Sequence, residues 1–91
     1  MDSGAELERG REFYEGRAWL DAYQALTRAD QATSLEAEDL ELLATSAYML
    51  NRDEDFANAL ERAHRLYLDA GNALRAVRCA FRVGLSLATG D

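Results

Sequence analysis

The chain has 91 residues, no proline, 17 acidic side chains against ten arginines and no lysine, and a net charge of −7. That balance argues against direct binding to nucleic acid or to an anionic membrane surface, since both need a dense basic face. The single cysteine, Cys79, cannot close an internal disulfide; no apolar run approaches the roughly 20 residues of a membrane span, and the start MDSGAELERG lacks a basic segment followed by an apolar one, so a soluble protein of the reducing cytoplasm is expected.

The length suits one domain, residues 1–91, with a core small enough to leave stability marginal. Alanine, leucine and other good helix formers dominate, and no stretch alternates apolar and polar residues with period two, which predicts an all-α fold. Ser3 and Glu6 fit a capping box that opens a first helix over about Gly4 to Glu15. Gly16 and Arg17 mark a turn, and a second helix follows over about Ala18 to Gln31, with Trp19 and Tyr23 on one face expected to lie against the first.

Thr33 and Glu36 form a second candidate capping box, ahead of a third helix whose Leu40, Leu43, Ala44, Ala47 and Leu50 recur at spacings of three and four. The polar run Asn51 to Asp55 breaks that helix, with Asn51 and Glu54 as the expected cap of a fourth whose apolar side is Phe56, Leu60, Ala63, Leu66 and Tyr67. Gly71 suits a left-handed helix end, and Asn72 can cap a fifth helix expected over about Ala73 to Ala88, before a turn at Gly90 and Asp91.

A repeat frame of about 34 residues passes through the chain without gaps, dividing it into segments 3–36, 37–70 and an incomplete 71–91. Gly10, Phe13, Trp19, Ala22, Leu26 and Ala29 fill the small, aromatic and bulky places of the first copy; Leu40, Leu43, Ala44, Leu60 and Ala63 fill those of the second; Leu74, Val77 and Phe81 begin the third. On these residues the chain resembles two and a half tetratricopeptide repeats. It departs from that pattern at Ala47, Asp53 and Phe56 and in having no helix-ending proline. The stretches LATSAYMLNRDEDF and ALERAHRLYLDAGNALRAVRCAF are similar to the tetratricopeptide-like segment of actinobacterial LuxR-type transcriptional regulators.

The resemblance implies a right-handed stack of about five antiparallel helices in which the first helix of each hairpin lines a concave groove. Carried over residue by residue, the groove takes Leu7, Arg11 and Tyr14 from the first copy, Glu41, Thr45 and Tyr48 from the second, and Arg75, Cys79 and Arg82 from the third. Tyrosines and arginines on one surface suit a protein or peptide partner with acidic and apolar parts. Set against this, Arg75, Arg78 and Arg82 form a stripe that salt bridges to Glu61 or Asp69 on the preceding helix would explain, Cys79 reads equally as a small core residue, and the acids at 36–41 and 53–55 suit helix starts.

The fifth helix is apolar over an unusually wide arc, with Leu74, Val77, Phe81 and Leu85 as one bulky edge and Val83 and Leu87 as another. A terminal repeat helix ordinarily turns a polar side to water, so this edge predicts a covering, either a further helix beyond Asp91 or a second copy in a homodimer. His64 has no companion at metal-ligand spacing, and no nucleophile, base and orienting group can be assembled around Cys79, so no enzyme, metal or cofactor is expected. The expected function is protein binding, as the sensory or assembly part of a LuxR-type regulator that does not itself bind DNA; the alternative is a stand-alone adaptor or self-associating scaffold unconnected with transcription.

Overall fold

A computed structural model describes residues 3–89, and side chains over 4–84. The side chains of Leu85 and Leu87 on the expected apolar edges and of Ser3 in the first cap lie outside those described, and the turn at Gly90 and Asp91 lies outside the described residues. The fold is all-α, with five antiparallel helices packed in chain order: α1 (Ser3–Glu15), α2 (Trp19–Ala32), α3 (Ala37–Met49), α4 (Asp53–Asp69) and α5 (Ala73–Thr89). Among the described residues there is no strand.

The first two hairpins repeat one construction. At the end of α1, the amide of Ala18 reaches the carbonyl of Phe13 and that of Arg17 reaches Tyr14; at the end of α3, Arg52 reaches Ala47 and Asn51 reaches Tyr48 in the same way. In each the residue past the helix takes a left-handed conformation, Arg17 at φ 60° and Asn51 at φ 63°, and the two stand one full repeat apart. The left-handed residue of the first turn is thus Arg17, one position beyond the glycine that the sequence offers for it. Asn51 closes α3 and does not cap α4, whose N-cap is Arg52 with no side-chain bond.

A third copy of the motif ends α4, where Gly71 sits at φ 79° and Asn72 bonds back to Tyr67. There Asn72 does act as a cap, its Oδ1 accepting the amide of Arg75 at 3.2 Å. The α2–α3 connection is built differently. Thr33 is extended and Glu36 makes no capping bond, so the capping box expected there does not form. Instead Asp30 Oδ1 accepts the Leu35 amide at 3.0 Å and turns the Leu35 side chain into the core.

The helices approach closely because the facing residues are small. A Cβ placed on Gly10 would lie 2.8 Å from Leu26 Cγ and Cδ2 and 3.3 Å from the Leu26 backbone nitrogen. Ala22, Ala25 and Ala29 on α2, Ala44 and Ala47 on α3, and Ala59 and Ala63 on α4 are all buried, with Leu26, Leu40, Leu60, Phe56 and Tyr67 filling the space between layers. One expected core position differs, Leu66, which is 41 % exposed; Tyr23 is half-buried against the core, and its hydroxyl reaches α4, donating to Asp55 Oδ2 at 2.6 Å.

The third copy is out of the frame that the first two share. N-cap Asn72 corresponds to N-cap Glu36, with the amides of Ala76 and Leu40 bonded back to them, so α5 follows α3 by 36 residues. In that register buried Leu40 and Leu43 become buried Ala76 and Cys79, and Ala47 becomes half-buried Val83. The bulky Leu74, Val77 and Phe81, which the shorter frame puts at packing positions, are 78 %, 62 % and 65 % exposed. The inner face of α5 is made of its smaller residues, as close approach to α4 requires.

Substitution at two helical glycines separates packing from propensity. Gly10→Ala gains at most about 1 kcal/mol of helix propensity but forces a shift in buried Leu26, an overpacking cost of about 1–3 kcal/mol. Gly84→Ala, with open space around it, keeps only the gain. Urea denaturation is expected to give a lower midpoint for the first variant and a midpoint at or above wild type for the second.

Candidate functional site

The first helices of the three copies share one face, and a row of polar contacts crosses it. Arg75 Nη1 donates to Glu38 Oε2 at 3.2 Å, Arg78 Nη2 to Glu41 Oε1 at 3.4 Å and Arg82 Nη2 to Thr45 Oγ1 at 2.9 Å. Each pair is separated by 37 residues, so the ladder keeps constant height along α3 and α5. Arg82 also lies 3.6 Å from Glu41. The arginine stripe therefore pairs with α3, two helices back, and not with Glu61 or Asp69 of α4. Those two acids face away, lining an open cleft of about 320 Å³ beside Ser34 and Leu35.

Glu41 is the hub. Besides the two arginines it accepts a short hydrogen bond from the Tyr67 hydroxyl, which crosses from α4. Burial, then the neighbouring Glu41 carboxylate, pushes the Tyr67 hydroxyl up to about 12. The Tyr67 ring lies 5.8 Å from the Arg75 guanidinium, so one tyrosine touches carboxylate and cation from adjoining helices.

The α1–α3 junction has its own clamp. Arg11 Nε and Nη2 donate to Asp39 Oδ1 and Oδ2, both at 2.9 Å, and Asp39 is 4 % exposed. The bond to Asp39 raises the Arg11 guanidinium further above its ordinary value. Asp39 reads in the sequence as one of several acids at a helix start, but the structure makes it the buried anchor of α1. Its signal was the spacing to Arg11, which only the fold converts into contact.

The nine expected groove residues are not one set, and Leu7 lies half-buried against the core. Glu41, Thr45, Arg75 and Arg82 come together in the α3–α5 ladder. Arg11 belongs to the clamp, and Tyr14 packs edge-on to Trp19 with ring centroids 5.6 Å apart. Tyr48 stacks at a tilt on Phe56, centroids 5.3 Å apart, with Arg82 5.8 Å from the Phe56 ring. Tyr48 remains about half exposed beside equally exposed Met49, giving the ladder an apolar, solvent-facing end. Cys79 is buried in the core, and burial, then Glu41, pushes its thiol up.

Among the described residues no group of three or more histidine, cysteine or carboxylate side chains could hold a metal ion, and no helix is long and apolar enough to cross a membrane. The polar groups on the face bind one another. No protein family, curated protein or solved structure matches the chain.

Tyr67 gives the site a measurable pH dependence. Its hydroxyl ionises near 10 in the unfolded chain and at about 12 when folded, so the folded state favours the neutral form. The stability this contributes is complete below pH 10 and is lost as pH rises toward 12. Denaturation midpoints should fall across that window, and Tyr67→Phe should flatten the fall while losing about 1.5–3 kcal/mol at neutral pH for a bond to a charged acceptor. A Tyr67→Phe protein with unchanged neutral stability would show that the hydroxyl bond to Glu41 contributes nothing.

Proposed function

We propose that this chain is a protein-binding module of the tetratricopeptide type, acting in the cytoplasm as the sensory or assembly part of a LuxR-type transcription regulator, with no DNA contact or catalysis of its own. The supporting observation is the recurrence of the hairpin: two copies with the same left-handed cap, at Arg17 and Asn51, bring their first helices onto one face. A stack of this kind sets side chains at regular heights along a surface, which suits reading an extended or helical partner.

The proposed groove consists of Arg11, Tyr14, Glu41, Thr45, Tyr48, Arg75 and Arg82, with Glu41 competing with the partner for Arg78 and Arg82. Half-exposed Tyr48 supplies apolar area, and Arg75 and Arg82, only partly covered by their α3 partners, supply charge. The net charge of −7 supports a protein partner over a polyanion. The buried, raised Cys79 thiol supports a role without nucleophilic chemistry. The stand-alone scaffold is the second reading, favoured by the exposed apolar edge of α5.

Fluorescence anisotropy against a panel of peptides with acidic and apolar residues tests the groove. A binder is expected whose affinity drops at least about tenfold, 1.4 kcal/mol, in the Arg75→Ala/Arg82→Ala double variant. Glu41→Gln should tighten it, because Arg78 and Arg82 lose their internal carboxylate. Binding indifferent to both changes removes the groove as the site. A helix-turn-helix encoded in the same reading frame is the expected context of a regulator module; a natural stop after Asp91 with a stable homodimer favours the scaffold.

A further inference from the structure

Each first helix presents two rows of side chains, one toward the first helix before it and one toward the next. The backward row of α3 is Asp39, Leu42 and Ser46, of which Asp39 receives Arg11 of α1. The backward row of α5, at the observed shift of 36 residues, is Arg75, Arg78 and Arg82. The forward row of α3 is Glu38, Glu41 and Thr45, which meets those arginines. The same register makes Leu74, Val77 and Phe81 the forward row of α5.

At both junctions inside the chain the charged contacts pair guanidinium with carboxylate, Arg11 with Asp39 at the first and Arg75 with Glu38 and Arg78 with Glu41 at the second. Whatever meets Leu74, Val77 and Phe81 must by the same logic be apolar. The front of the stack does not qualify. The backward row of α1, one repeat before that of α3, is Ala5, Glu8 and Glu12, all exposed. Stacking α5 of one molecule on α1 of the next would bury two carboxylates against leucine, valine and phenylalanine without partners.

The α5 row is instead complementary to itself. We infer that this face is a symmetric contact between two copies of the chain, with the α5 helices antiparallel across a two-fold axis. The midpoint of the row falls beside Val77, so Val77 meets Val77 of the partner subunit at the axis and Leu74 lies against Phe81 of the partner subunit. The contact is isologous and closes at two, where a head-to-tail contact would grow without limit. It stands independently of whether the groove takes a peptide.

Sedimentation velocity at rising concentration tests the state, and cysteine cross-linking tests the geometry, both on the full chain. The expected mass rises to twice 10.1 kDa and stops there. Phe81→Glu and Val77→Glu, at exposed positions, should each weaken association at least about tenfold while circular dichroism keeps its helical signal. Under mild oxidation Val77→Cys should form a covalent dimer. Leu74→Cys should not, because the two copies of that position lie about 10 Å apart along the axis, beyond the ~7 Å that a disulfide spans.

Wild type, whose Cys79 is buried, is the background control. Leu74→Cys mixed with Phe81→Cys should cross-link as a heterodimer. The proposal is overturned by a monomer at every concentration, by open-ended growth, by a dimer unmoved by both glutamate variants, or by Leu74→Cys linking as readily as Val77→Cys.

Discussion

Everything in this molecule depends on how closely two helices can approach. Gly10 leaves no room for a methyl group beside Leu26, and one repeat later Ala44 and Leu60, both fully buried, hold the corresponding places. Small residues at these crossings bring backbones together along the hairpin, and the interior becomes a thin layer of alanines threaded by a few large side chains. Such a core removes limited apolar area per residue from water, so the connections and rims carry more of the specification than in a bulkier domain. Three left-handed caps of the same form, at Arg17, Asn51 and Gly71, fix where each helix stops and hence which side chains reach the next one.

Between helices that are not sequence neighbours, charge takes over from packing. Helix α5 carries Arg75, Arg78 and Arg82 and no acid, while the facing turn of α3 carries Glu38 and Glu41. Long arginine stems let two first helices join without the backbone contact that alanine enforces inside a hairpin. Tyr67 ties the systems together: its ring is part of the apolar core and its hydroxyl ends on Glu41. Exposed pairs of this sort contribute little individually, but Asp39 and Glu41 are mostly enclosed, and removing a partner from either leaves a carboxylate with poor access to water.

Period-3.6 patterning located all five helices, because amphipathic stripes such as Leu40, Leu43, Ala44 and Ala47 report burial directly. Caps were less legible. Asn51 with Glu54 and Thr33 with Glu36 satisfy the capping-box spacing, yet Asn51 is consumed by a left-handed turn and the connection after Thr33 is held by Asp30. The register of the third copy was hidden by residue size. Leu74, Val77 and Phe81 are the larger residues and look like core, whereas the fold selects Ala76, Cys79 and Val83, because α5 begins two residues late and the approach to α4 favours small side chains. The ladder residues themselves were legible as a set, but their mutual pairing was not, since a spacing of 37 residues has no meaning until the stack supplies it.

That pairing changes how the groove would work. A peptide carboxylate arriving at Arg78 or Arg82 meets guanidinium groups already engaged by Glu41, so its gain is the difference between its own bond and the one it displaces. Charge alone then discriminates poorly among acidic partners. Discrimination falls to what the internal carboxylate cannot imitate: contact with Tyr48 and Met49 at the open end of the ladder, where apolar area is still in water. A partner that brings an apolar side chain to that end gains from a surface with no internal competitor, while its acidic group sets direction along α3 and α5. On the proposed reading the glutamates would act as a filter against generic polyacids, and the selectivity of the face would reside in its aromatic end.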